Sequence, residues 1–311
     1  MENATSLVVV SAEVRAALAA GRPVVALETT VLAHGLPRPR NREAADAMEA
    51  AVRSGGAVPA HVAVLDGRLR IGLDARALDR LSEGQDVAKC STRDLAARLA
   101  SGLPGATTAA ATLFAAGLAG IRFMATGGIG GVHRGGETSL DWSADLHELQ
   151  RARLALVCSG AKIILDLPRT LEVLETMGVT VAGCGTDEFP GFYTARTGLA
   201  VPRLDGPVAL ARLVRHQAML GWPSAVLLAN PPPAAALAPD ELEPLIEEAL
   251  AQARADGIAG PAETPYLLRR IAQASGGRSV AVNQALLTAN ARLAAEVAAA
   301  FSALDTQRNQ L

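Results

Sequence analysis

The sequence predicts an α/β protein: a three-layer α/β/α arrangement around a mixed, mostly parallel central sheet, with a helical C-terminal third. Three observations predict it. Short runs of Val, Leu, Ile and Ala alternate with helically spaced stretches, as buried strands alternate with the helices that cover them. Two strand-like runs flank Asp66-Gly67, a hairpin signal that brings antiparallel pairing into the sheet. Beyond residue 230 the apolar spacing is helical throughout.

The elements follow in order. Residues 11–20 carry helical spacing closed by Gly21, and residues 23–31 read as a buried β-branched strand. Asn41 is placed to cap a helix that runs to Arg53 and stops at Gly55-Gly56. The hairpin VPAHVAVLDGRLRIGL comes next, then helix, short strand, helix, and a strand at 121–125. Within this stretch GLPGATTAA is a loop entering a helix, with Thr107 and Thr108 as capping residues. A glycine-rich loop leads to a helix beginning near Ser143 and a strand at 154–157. Past Pro168 the pattern gives a helix to Met177, a strand at 179–183, a polar loop with Pro190, Gly191 and Tyr193, and a last strand at 224–230. PPPAAALAP breaks the chain before helices expected at 240–255, 265–274 and 280–303. No repeat or composition shift divides the chain, so one domain over residues 1–311 is expected.

Composition narrows the function. Half of the 311 residues are apolar, enough for a large core without disulfides or structural metal. The net charge is -2, from 29 basic and 31 acidic residues spread along the chain, which leaves no basic stripe for nucleic acid or anionic lipid. No apolar stretch approaches the ~20 residues that span a bilayer. The first residues lack a basic leader and a small-residue cleavage site, so a cytoplasmic protein is expected. Cys90, Cys158 and Cys184 are far apart and odd in number, which suits buried thiols in a reducing compartment.

Lys89 and Lys162 are the only lysines among the 29 basic residues. Arginine supplies charge everywhere else. A lysine amine, unlike a guanidinium, can lose its proton and act as base or nucleophile. Residues 125–146, ATGGIGGVHRGGETSLDWSADL, hold six glycines in ten residues directly after a strand, a backbone able to turn several N–H groups towards an anion. The helix near Ser143 would add its positive end. Asp141 and Asp145 in the same segment can recruit a hard divalent cation, Asp141 being the better ligand because it lies outside the helix. His133 reads equally as a phosphate donor or a structural residue. Glu28, at the end of a strand buried on both faces, is a carboxyl whose pKa burial would raise, as a general acid requires.

At these residues the sequence resembles the pseudouridine-5'-phosphate glycosidase family, also called indigoidine synthase A-like. The segments that carry the resemblance are ALETTVLAHGLPRPRN, GATTAAATLFAAGLAGIRFMATGGIGGVHRGGETSLDWSADLHEL and CSGAKIILDLPRTLEVLETMGV. It extends over residues 7–300 through FPGFYTARTG, ANPPP, TPYLL and NQALLTANARLA. The resemblance implies an α/β/α subunit, a homotrimer, and one manganese ion (Mn2+) per subunit. It implies that Lys162 is the nucleophile that forms an imine at C1′ of the sugar and that Glu28 is the proton donor. Lys89, Ala109, Ser143, Ala144 and Asp145 then contact substrate, Asp141 binds the metal, and Asn283 lies near the base. Trp142 and Ser159 stand where the family commonly has smaller residues, and neither replaces a catalytic group.

The implied reaction is reversible cleavage of pseudouridine 5'-phosphate to uracil and ribose 5-phosphate. The residues also admit a class I aldolase or lyase acting on a phosphosugar, and a non-catalytic protein that binds a phosphometabolite.

Overall fold

The computed structural model describes residues 7–84, 86–233, 237–258 and 260–308. Residues 1–6 of the segment read for a leader and residues 234–236 of PPPAAALAP lie outside the described residues. The strands are β1 (Val8–Val10), β2 (Val24–Leu27), β3 (Val58–Leu65), β4 (Arg68–Ile71), β5 (Ala88–Cys90), β6 (Gly105–Thr107), β7 (Phe123–Ala125), β8 (Ala155–Cys158), β9 (Thr180–Cys184), β10 (Arg203–Leu204) and β11 (Val226–Ala229). The helices are α1 (Ala12–Ala19), α2 (Arg40–Ser54), α3 (Ala75–Glu83), α4 (Leu95–Ser101), α5 (Ala109–Ala119), α6 (Gly136–Ser139), α7 (Ala144–Arg151), α8 (Leu167–Thr176), α9 (Gly206–Met219), α10 (Pro239–Ala255), α11 (Glu263–Ala274) and α12 (Arg278–Arg308).

The sheet runs β1-β4-β3-β2-β7-β8-β11-β9-β10, with β6 paired to β3 and β5 to β6. Its two antiparallel pairings both involve β3, with β4 and with β6, and the rest are parallel. This is the mixed, mostly parallel sheet of a three-layer α/β/α fold, and each element described after β11 is a helix. β3 makes the change of direction possible. Residues 58–61 pair with β2 and residues 62–65 with β4, and all eight residues are buried. The hairpin at Asp66-Gly67 is a two-residue turn with both residues left-handed, φ 53° and 67°, and it sets Leu65 opposite Arg68.

Two local expectations are corrected. The strand expected over 23–31 ends at Leu27, and Val31–Gly35 forms a single π-helical turn. Thr29 explains the departure: its Oγ1 donates to Val62 O at 2.7 Å and its N–H to Thr107 O at 3.3 Å, so tertiary bonds override β-branched propensity. Asn41 does not cap α2, which begins at Arg40 behind Pro39. Its buried amide donates instead to Leu32 O at 2.7 Å and Ser82 O at 3.1 Å, tying the helix to the π turn and to α3.

α12, longer than the 280–303 expected, packs along α2 and α9 and against β2, β7 and β8. Its alanine surface permits close approach: a Cβ on Gly55 would lie 2.6 Å from the Ala295 methyl. Phe301 meets Phe123 edge-to-face at 5.4 Å. Cys90, Cys158 and Cys184 are buried free thiols, as expected, with pKa values pushed up to about 11, 12 and 12 by burial. No helix among the described residues is long and apolar enough to cross a membrane.

Candidate active site

Parallel strands β2, β7, β8 and β11 end together, and the segments that leave them border a cavity of about 420 Å³. Every residue the sequence singled out for catalysis, substrate or metal lines it: Glu28, Lys89, Ala109, Asp141, Ser143, Ala144, Asp145 and Lys162. His133 and Asn283 join them, and α11 and α12 close the far side through Thr264, Leu268 and Leu287.

Glu28 is the first residue after β2. Its carboxylate accepts a hydrogen bond from Thr126 Oγ1, at the end of β7. Burial pushes its pKa above the usual carboxylate value. Lys162, the Thr126 bond and Lys89 oppose that rise, and Asp145 adds to it. Lys89, on β5, is half-buried, and burial followed by the charge of Lys162 lowers its pKa. Lys162 lies beyond β8, where Gly160 adopts φ 71° and passes so close to Pro190 that no Cβ would fit. The Lys162 backbone N–H donates to Ile129 O at 3.1 Å and its Nζ to Gly128 O at 2.8 Å, which pins the amine against the glycine loop.

Part of that loop's backbone is taken up within the protein, which narrows the anion cradle expected. The N–H groups of Ile129, Gly130, Val132 and His133 donate to Gly160 O, Asp145 Oδ2, Thr170 Oγ1 and Asp141 O, all within the protein. Its glycines also serve close packing. A Cβ on Gly128 would lie 2.6 Å from Phe192 Cδ2 and 3.1 Å from Gly160 O, and one on Gly130 would collide with Ser143. Asp145 is the brace of the site: its buried carboxylate accepts from Gly130 N at 2.7 Å and from Ala110 N, in the first turn of α5, at 2.8 Å. Ser143 caps α7, and Thr108 caps α5 as expected. Thr107 is not a cap. Its hydroxyl is buried and donates to Val62 O at 2.6 Å.

His133, Asp141 and Glu263 offer one imidazole nitrogen and two carboxylate oxygens within 4.8 Å of one another. His133 Nδ1 stands 3.9 Å from Asp141 Oδ2 and 3.4 Å from Glu263 Oε2. A mixed N and O donor set of this size suits a first-row divalent ion such as manganese or a close relative. Sequence reasoning found Asp141 but gave Glu263 no role, although it directly precedes TPYLL. It also passed over Thr126, whose signal was its place between a strand and the glycines. Asn283 is buried, and its Oδ1 has no hydrogen-bond partner among the described residues.

A cavity of this size at the carboxyl end of a parallel sheet is where α/β enzymes bind small molecules, and its perturbed acid and amine place the chain in that class. The chain belongs to the indigoidine synthase A-like family, whose description, Indigoidine synthase A like protein, matches residues 13–300. It is similar to the pseudouridine-5'-phosphate glycosidase of Methylobacterium nodulans, 55% identical over 93% of this chain and 86% of the relative. The protein of the same name from Paracoccus denitrificans is 52% identical over 95% of this chain and 99% of its own. Among solved structures, the prealnumycin C-glycosynthase AlnA in complex with ribulose 5-phosphate superimposes with a TM-score of 0.90 at 40% identity, covering 97% of this chain and 99% of AlnA. An indigoidine synthase A-like protein from Thermotoga maritima gives 0.87 at 32% identity, over 95% and 97% of the two chains.

Proposed function

We propose that this chain is a pseudouridine-5'-phosphate glycosidase, which reversibly cleaves the bond between C1′ of ribose 5-phosphate and C5 of uracil. The observation that carries the reading is the meeting of Glu28, Lys89, Asp141 and Lys162 on one cavity, in a chain whose relatives bear that name. A carbon leaving group departs with difficulty from an oxocarbenium-like centre, whereas an amine at C1′ supplies the electron pair that expels it.

In the proposed sequence Glu28 donates its proton to the ring oxygen as the C1′–O4′ bond opens. Its raised pKa supports this role, because the acid must hold a proton near neutrality. Lys162, in its amine form, adds to C1′. Uracil is protonated at C5, the C1′–C5 bond breaks, and the Lys162 nitrogen lone pair becomes the second bond of an imine. Water then hydrolyses the imine to ribose 5-phosphate and the free amine.

Four loop amides are already engaged, so the phosphate reading adds to the loop Lys89 and also Ala109 and Ala144, the first residues of α5 and α7, which line the cavity with Gly127 and Gly128. His133, Asp141 and Glu263 would hold one manganese ion per subunit. When bound, it supplies positive charge beside the phosphosugar and an ordered, polarised water shell. Asn283, with its unpartnered acceptor, suits an N–H of the base. A single domain, a homotrimer and a cytoplasmic location belong to the same reading and rest on family membership, the first also on one continuous sheet.

Among the described residues the sheet ends at β1 and β10 and does not close, which takes the (β/α)8 frame of class I aldolases away from the aldolase reading. The test is incubation of the purified protein with uracil, ribose 5-phosphate and Mn2+, following pseudouridine 5'-phosphate by mass. Product that disappears in Lys162→Ala supports the reading. Absence of turnover in both directions, in a folded and metal-loaded sample, contradicts it and favours a binding protein.

A further inference from the structure

Asn290 is completely buried on α12, seven residues after Asn283 and on the same helix face. Its Nδ2 donates to Thr126 O at 2.9 Å and also lies 3.1 Å from Ser159 Oγ and 3.4 Å from Gly127 O. Its Oδ1 accepts from Asn230 Nδ2 at 2.9 Å. Carbonyl oxygens only accept, so Thr126 and Gly127 fix which end of the amide faces them. Thr126 and Gly127 follow β7, Ser159 follows β8 and Asn230 follows β11. Three neighbouring parallel strands thus end on one side chain.

α12 does not need this amide to adhere to the sheet, since its alanine, leucine and phenylalanine surface already does so, and a buried amide carries a desolvation cost. The reason for it lies one step beyond the strand ends. The hydroxyl of Thr126 donates to Glu28, and the carbonyl of Gly128 accepts from Lys162 Nζ at 2.8 Å. Asn290 therefore grips the backbone beside both contacts, at the two residues before Gly128.

We propose that Asn290 is a positioning residue that sets Glu28 and Lys162 relative to each other by fixing the Thr126 and Gly127 carbonyls. The inference rests on the roles proposed above for those two side chains. Deleting this grip while keeping volume lets the acid and the amine shift by fractions of an ångström, the scale on which turnover is lost.

The test pairs substrate-free labelling with kinetics. Asn290→Leu is treated with an amine-acylating reagent, and modification of Lys89 and Lys162, the chain's two lysines, is mapped by mass. The inference predicts that the Lys162 rate changes by about 3-fold or more relative to Lys89, and that kcat falls ~10- to 100-fold with KM within about 2-fold. A folded variant with unchanged Lys162 labelling or unchanged kcat overturns it. So does equal acceleration of both lysines, which marks general loosening. Should Asn290→Leu fail to fold, Asn290→Ser keeps a polar side chain but one too short to hold both the Thr126 and Gly127 carbonyls: a changed Lys162 rate relative to Lys89 supports the inference, and an unchanged rate overturns it. If the parent protein itself does not turn over, the labelling still decides the placement, and the glycosidase reading falls alone.

Discussion

Glu28 owes its chemistry to its surroundings. Burial raises its pKa above 4.5, so the folded chain holds a proton that the unfolded chain has released. Stability therefore falls as pH rises from 4.5 through the raised value, and above it the penalty is fully present. Glu28→Gln removes that penalty and keeps an acceptor for Thr126. The expected result is a melting temperature at pH 7 at or above the parent's, with kcat lowered ~10²- to 10⁴-fold. A lower melting temperature would show the carboxylate to be a structural partner. Glu28, Lys162 and Asp141 were legible because each sits in a segment whose composition is odd for its position: an acid ending an apolar strand, a lysine in an arginine background, an aspartate outside a helix. Thr126 and Glu263 were not. A threonine after a strand and a glutamate opening a helix are ordinary in sequence, and only the fold brings one to Glu28 and the other to His133.

At the scale of elements, the glycine loop shows what periodicity cannot supply. Its density of glycines marked a special backbone, but Phe192, Ser143 and Thr170, which leave no room for side chains there, come from separate parts of the chain. Gly128→Ala is expected to displace Phe192 or the carbonyl that holds Lys162, lowering kcat ~10-fold or more while the protein stays folded. Unchanged kinetics would show that the loop has slack. α11 supplies Glu263 and seats it beside His133 on the loop. Glu263→Gln is expected to weaken Mn2+ binding at least ~10-fold by calorimetric titration, without change in circular dichroism. An affinity equal to the parent's would leave His133, Asp141 and water to hold the metal.

For the molecule as a whole, most of the order of strands and helices was legible, since a buried strand or a covering helix is a local pattern, but the edge strands β1 and β10 and helix α9 were not read. The order within the sheet was not legible either. β3 hands its pairing from β2 to β4 midway, a property of contacts between residues 24–27, 58–65 and 68–71 that no single window contains. The middle of that strand also carries a group that makes stability sensitive to acid. His61 is buried, and burial lowers its pKa to about 4. Well above pH 6.5 it is neutral whether folded or unfolded and contributes no pH dependence. Stability is lost as pH falls from 6.5 towards 4, by about 3 kcal/mol in all, because only the unfolded chain takes up the proton. Urea denaturation of His61→Leu across that range should show a flatter pH dependence than the parent, and a parallel curve would rule His61 out.

The central claim is that Lys162 forms a covalent bond to C1′ of a phosphosugar. Borohydride reduction of the protein incubated with ribose 5-phosphate and Mn2+, followed by mass mapping, tests it directly. The account predicts a reduced ribose phosphate adduct on Lys162 that Glu28→Gln slows and Lys162→Arg abolishes. Product formation with no adduct at Lys162, or an adduct at Lys89 alone, would contradict it.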